Sequence, residues 1–146
     1  MYEYTTETGP FSEALVDELH KLATRIFGSI ERSELAWKVS RMPDATVQVA
    51  RSHGMLVGFK IGYAIGSTRY ESWLGGIDPE HRRRGIALQM TENQHEWVQA
   101  KGYKSIETGM IPKNSAMLAL NLRVGFHVCG MYAREATPRI TMLKQF

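Results

Sequence analysis

The stretch Gly75-Gly76-Ile77-Asp78-Pro79-Glu80-His81-Arg82-Arg83-Arg84-Gly85-Ile86-Ala87 holds the residue types best suited to chemistry in this sequence. It passes from a β-like run through a short turn into a helix that begins near Gly85. The first turn of a helix presents backbone N–H groups with no intrahelical acceptor, at the positive end of the helix dipole, and so suits phosphate oxygens. Gly85 and Ala87 keep bulk away from those groups, while Arg82, Arg83 and Arg84 add charged, forked donors. A ligand carrying a diphosphate is the chemistry this pattern suits. No G-x-x-x-x-G-K-S/T occurs and no G-x-G-x-x-G follows the first strand, which argues against ATP and NAD. By residues alone, the alternative is a solvated helix start with a plain turn glycine.

Other reactive residue types fall in weaker patterns. His127 and Cys129 lie two apart on an expected strand and share a face by alternation, but no third orienting residue is evident, so they read as ordinary strand residues. His20, His53, His81 and His95 show no metal-ligand spacing, and no metal is expected. Trp37, Phe59, Tyr63, Tyr70, Trp73 and Trp97 are spaced as core residues. Trp73, beside the glycine pair, is the one best placed to shape a substrate pocket, with Arg69 and residues 28–32 at its rim.

The elements that position these residues follow from periodicity. Ser12 caps a helix with Glu13 in its first turn and Leu15, Leu19, Leu22 and Ile26 on one face, ended by Gly28. A second helix is predicted over residues 32–40, closed by the turn Met42-Pro43-Asp44. From Thr46 the alternation becomes β-like, with a turn at Ser52-His53-Gly54 and a strand to Ile65. A third run covers 70–77, where Gly75-Gly76 predicts a bulge or a close backbone approach. A long helix follows to about Lys101, with Ile86, Met90 and Trp97 on one side. Next come a strand over 104–110, a helix over 114–124 closed by Gly125, and strands over 126–132 and 139–143. The order β-α-α-β-β-β-α-β-α-β-β predicts one α/β domain over residues 1–146, with a mixed, partly parallel central sheet flanked by helices.

Composition excludes several classes. With 146 residues, 43% hydrophobic and 23% charged, the chain is of globular type and single-domain size. Its longest apolar stretch stops at Lys60, far short of the roughly 18 residues of a membrane span. No secretory pattern opens the sequence, so a cytoplasmic protein is the expectation. The single cysteine, Cys129, excludes an intrachain disulfide and a multi-cysteine zinc site. Net charge is +3, with the basic excess beyond residue 40. That excess suits an anionic partner, which charge alone leaves open among nucleic acid, a membrane surface and a phosphorylated small molecule.

The segment Asp78 to Ala87 resembles the acyl-CoA signature of the GNAT superfamily of N-acetyltransferases: Arg or Gln, two residues, Gly, one residue, then Gly or Ala, between a strand and a long helix. Residues 114–126 resemble the same family's next block, an Asn opening a helix that ends in Gly-Phe. The inferred element order agrees with that fold, and the sharp motifs lie within residues 71–126.

The resemblance implies an opening between the fourth and fifth strands in which acetyl-CoA lies, and transfer of its acetyl group to a primary amine of a small molecule or peptide by direct attack. Gly75, Gly76 and Ile77 would pair with the pantetheine arm, and an N–H at Gly75 or Gly76 would polarise the acyl carbonyl. Arg83, Arg84, Gly85, Ile86 and Ala87 would give N–H groups to the pyrophosphate, with Arg82 leading the motif, and Asn114 would bind the pantetheine region. Glu71, eleven residues before Arg82, stands where a number of members place a catalytic glutamate; the alternative is an exposed strand residue paired with Arg69 or another cation. Seven residues after Asn114, many members have a tyrosine that protonates the leaving thiolate, and this chain has Asn121, whose amide cannot. That departure keeps a rival open, a domain that binds CoA or acyl-CoA without turnover. A nucleic-acid module is a further rival, without a reader motif to support it. A homodimer through the last two strands is a further expectation.

Overall fold

A computed structural model describes residues 1–146. The elements are β1 (Glu3–Thr8), α1 (Glu13–Phe27), α2 (Arg32–Arg41), β2 (Thr46–Ser52), β3 (Met55–Ala64), β4 (Arg69–Ile77), α3 (Ile86–Ala100), β5 (Ser105–Met110), α4 (Ser115–Arg123), β6 (His127–Arg134) and β7 (Thr137–Gln145). The strands form one seven-stranded sheet in the order β1-β2-β3-β4-β5-β7-β6, antiparallel except for the β4–β5 pair. The predicted α/β class, element order and mixed sheet are all observed.

Helix α1 forms where its periodicity places it. The Ser12 hydroxyl accepts from the Leu15 N–H at 3.1 Å, and Gly28, at φ +86°, ends the helix by donating its N–H to Thr24 O at 2.8 Å. Ser12→Ala leaves that first-turn donor without its cap and is expected to lower stability by about 1 kcal/mol, read from urea unfolding. The apolar faces of α1 and α2 bury Val16, Leu19, Leu22, Leu35 and Val39 against Val47, Val49, Phe59 and Ile61 of β2 and β3. On the opposite face, Ile86 and Met90 of α3 pack on Ala50 and Val57, and Val98 joins Tyr70, Ile106, Phe126 and Met142. The sheet is thus a middle layer with helices on both sides.

Three local expectations are corrected. The bulge of β4 falls at Trp73, where the register passes from Gly62↔Ser72 to Ile61↔Leu74, and not at Gly75-Gly76. A second bulge, at Cys129, breaks the alternation between His127 and Cys129, so their two-residue spacing does not make them a pair; the Cys129 thiol instead meets Thr141 O at 3.4 Å. The final hairpin is longer than predicted, because its turn is Glu135-Ala136 at φ +51° and +64°. Such a turn ordinarily uses Asn or Gly, so Glu135-Ala136 carries no local signal for it.

Candidate functional site

The β4–β5 pairing creates the site. It covers only Arg69↔Ser105 to Ser72↔Thr108, so from Trp73 to Ile77 the backbone of β4 on the β5 side has no strand partner. The chain then turns at Pro79–His81 and enters α3. Gly85 sits at the N-cap in the left-handed region, φ +79°, with no side chain capping the helix and nothing within 4 Å of where a Cβ would stand. The first α3 bond at this end is Gln89 N–H to Gly85 O at 3.1 Å, so the N–H groups of Ile86, Ala87 and Leu88 have no acceptor within the helix. An unpaired strand edge thus leads straight to an uncapped helix start. The fit to an extended ligand with a diphosphate at one end rests on this pair of features.

Around it, the turn is held in place. Arg25 of α1 bonds Asp78 at 2.7 Å and Glu80 at 3.1 Å, and Asp78 accepts from the Glu80 N–H at 3.0 Å. Arg84 donates to the Tyr2 hydroxyl at 3.1 Å, which lies 3.0 Å from His81 Nδ1. Arg82 Nε donates to Ile77 O at 3.2 Å, and Arg82, Arg83 and Arg84 are all exposed. Ile86 is buried under α3, leaving only its N–H for a ligand.

The glycine pair has two separate reasons. A Cβ on Gly76 would come within 2.7 Å of Ile26 Cδ1, so α1 packs against the bare backbone there. A Cβ on Gly75 would meet Phe59 O at 3.1 Å and Lys60 Cγ at 3.4 Å, on the opposite face. Both positions lie on the unpaired segment of β4, as does Ile77.

On the α1–α2 face, Glu71 lies at the last turn of β4–β5 pairing. Its expected partner is taken: Arg69 Nε donates to Glu107 at 2.8 Å, and Glu71 forms no ion pair. Next to it, Tyr63 packs 6.3 Å from Trp73, ring to ring, and Lys38 Nζ donates to the Tyr63 hydroxyl at 3.0 Å while lying 5.2 Å from the Trp73 ring. Burial raises the Tyr63 pKa above the usual 10, and the Glu71 carboxylate adds to that rise. Trp73 thus lies with Tyr63 and Lys38 on the α1–α2 side of the sheet. Trp37 is 53% exposed and not core, whereas Phe59, Tyr63 and Tyr70 are buried.

On the α3–α4 face, Asn121 is buried, with Nδ2 3.6 Å from Met110 Sδ and 3.7 Å from Met142 Sδ. Asn114 is exposed and caps α4, its Oδ1 accepting from Met117 N–H at 3.2 Å, which leaves Nδ2 for a ligand. This face also holds residues that sequence reasoning missed: Lys60, Gln94 and His95. Burial pulls the Lys60 ammonium down to about pKa 8 and the His95 imidazole to about 3, the latter also opposed by Lys144 and Lys60. The available signal was a lysine in the middle of the apolar run 56–65.

Residues 13–126 match the Acetyltransferase (GNAT) family. The chain belongs to that family. Solved structures agree on the fold. The chain is similar to the ribosomal-protein-S18-alanine N-acetyltransferase from Escherichia coli, with a TM-score of 0.84, 14% identity, and 98% of this chain and 94% of that one covered. It is also similar to the IAA acetyltransferase from Bacillus cereus (TM-score 0.77, 13% identity, 100% of both chains) and to a chain of the NatC complex bound to Gag peptide and CoA (0.80, 15%, 99% of both). No curated protein sequence matches significantly. As a GNAT acetyltransferase domain, the chain combines an unpaired strand edge on β4 with an uncapped start of α3.

Proposed function

We propose that the protein transfers an acetyl group from acetyl-CoA to a primary amine of a small molecule or peptide, by direct attack of the amine on the thioester. The observation that carries this reading is the loss of β4–β5 pairing after Ser72↔Thr108, continuous with the uncapped start of α3. In this reading the N–H groups of residues 83–87 hold the pyrophosphate, with Arg82 beside them. Gly75, Gly76 and Ile77 pair with the pantetheine arm. The Gly75 N–H faces the acyl oxygen and stabilises the charge that builds there. Asn114 Nδ2 serves the pantetheine region, and Asn121 lines the sulfur end of the opening. Glu71, free of Arg69, takes the amine proton, directly or through water. Acceptors enter from the side of Lys38, Tyr63 and Trp73. The solved structures it resembles include, by their names, a ribosomal-protein-S18-alanine N-acetyltransferase and an IAA acetyltransferase, so both peptide and small-molecule acceptors stay open.

Thermal unfolding with acetyl-CoA, CoA, NAD, ATP or a short DNA duplex tests the donor. Acetyl-CoA at about 100 times its Kd is expected to add about 2.7 kcal/mol, raising Tm by several degrees, with no rise for NAD, ATP or DNA. No rise with the CoA compounds would sink the reading. One observation favours a second reading, a CoA-binding domain without turnover: the Asn121 amide cannot act as an acid. Release of free CoA that depends on an amine separates the two.

A further inference from the structure

On the α3 face of the opening, polar groups are buried without partners. Gln94 is fully buried with neither Oε1 nor Nε2 bonded, and His95, 5% exposed, has an unbonded Nε2. Gln94 lies against β3 and β4, since a Cβ on Gly62 would stand 2.8 Å from its Nε2. Burying polar atoms unpaired is unfavourable, so a cluster of them marks a place shaped for a polar occupant. Lys60 belongs to the same face. Its neighbours two along β3, Gly58 and Gly62, look onto Met90 and Gln94 of α3. Its stem lies beside Gly75, whose missing side chain leaves room for it at the unpaired edge of β4. Its charge opposes protonation of His95 on α3. No carboxylate pairs with Lys60. Across the opening, Asn121 of α4 faces the same side of the sheet, against Met110 and Met142. A structural lysine in a central strand would be expected to have a counter-charge or a hydrogen-bond acceptor; this one shares its face with the unpaired Gln94 amide and the His95 ring.

We propose that the Lys60 ammonium, passing over Gly75, pairs with the sulfur of CoA and stabilises its negative charge as the acetyl group leaves. The inference rests on the acetyl-CoA reading above. The amine nitrogen bonds to the carbonyl carbon, the C–S bond breaks with its electron pair going to sulfur, and the thiolate so formed is held as an ion pair with the Lys60 ammonium until CoA leaves. The lysine keeps its proton throughout, and the proton shed by the amine leaves through Glu71. Lysine suits this task because no carboxylate satisfies its charge, and although burial lowers it to about 8 it is still mostly protonated near neutral pH. The other titratable groups bearing on the site are His95 of α3 and Lys144 of β7, whose Nζ lies 3.0 Å from His95 Nδ1, with Glu92 acting on Lys144.

The test needs no acceptor. CoA is bound to the wild-type protein, to Lys60→Met and to Lys60→Arg, binding is measured by calorimetry, and the bound thiol is titrated by thiolate absorbance. An ammonium within about 4–6 Å should hold the bound thiol about 1–3 pH units below that of free CoA. Lys60→Met should return it to the free value with CoA still bound, and Lys60→Arg, which keeps the charge, should keep it low. A wild-type complex whose thiol titrates like free CoA overturns the proposal, whether or not the methionine variant folds. So does a lowered thiol that survives Lys60→Met. Absence of binding heat for the wild-type protein removes the acetyl-CoA reading itself, and with it the lysine's role.

Discussion

Glu71→Gln is expected to lower kcat for acetyl transfer about 10²–10⁴-fold while leaving KM for acetyl-CoA little changed. The attacking amine must be neutral and must lose a proton as the new bond forms, so a base on the acceptor side acts in the transition state and not in donor binding. Glu71 stands on that side, beside Tyr63 and Trp73, and its carboxylate is not consumed by a cation because Arg69 is committed to Glu107. Glutamine keeps the shape and hydrogen-bonding reach of the side chain but cannot accept the proton. The measurement is the initial rate of amine-dependent CoA release, with acetyl-CoA affinity determined separately by calorimetry. A kcat equal to that of the wild type would move proton removal to solvent or to another group. A rise in KM with kcat unchanged would make Glu71 a binding residue instead.

What could be read in the sequence was what local chemistry determines. The α3 start was legible because Gly85 is needed for its left-handed φ and the arginines are contiguous with it. Helix α1 was legible from its cap, its apolar spacing and its terminal glycine. The opening itself could be inferred only through family resemblance, since where β4 and β5 stop pairing depends on the twist of two strands separated by a whole helix. The pairing of Arg69 with Glu107 was hidden for the same reason: the two residues become neighbours only through the parallel register of β4 and β5. Asn121 was legible as a departure, but its contact with two methionine sulfurs was not. Lys60, Gln94 and His95 come from β3 and α3, and nothing in their sequence spacing announces that they meet. Helical periodicity even conceals the α3 pair, because Gln94 and His95 occupy the buried stripe where apolar residues are expected.

The same buried stripe makes the protein sensitive to acid, and His95 is expected to account for much of that sensitivity. Its ring packs between Phe126 and Phe146, at 5.3 and 6.0 Å between ring centroids, and Lys144 donates to Nδ1 at 3.0 Å, which leaves the proton of the neutral ring on Nε2. Protonating Nδ1 would set one cation against another in a buried place, and Lys60 adds to the repulsion. Burial is the larger cause, and together they lower the pKa from 6.5 to about 3. The unfolded chain therefore binds a proton at this residue below pH 6.5 while the folded chain does not until about pH 3, so stability is full above pH 6.5 and falls with pH across that window. At about 1.4 kcal/mol per pH unit, the loss between pH 6.5 and pH 5 is about 2 kcal/mol. Over the whole window it is on the order of 5 kcal/mol. Urea unfolding of the wild-type protein and of His95→Gln at pH 7, 6 and 5 checks this above the range where most carboxylates titrate. Glutamine has no proton to gain, and its Oε1 can still accept from Lys144, so the variant should be less stable at pH 7 yet lose much less between pH 7 and pH 5. Parallel stability curves for the two proteins would show that His95 is charged, or solvated, in the folded state, and would remove the buried neutral imidazole from the description of the α3 face.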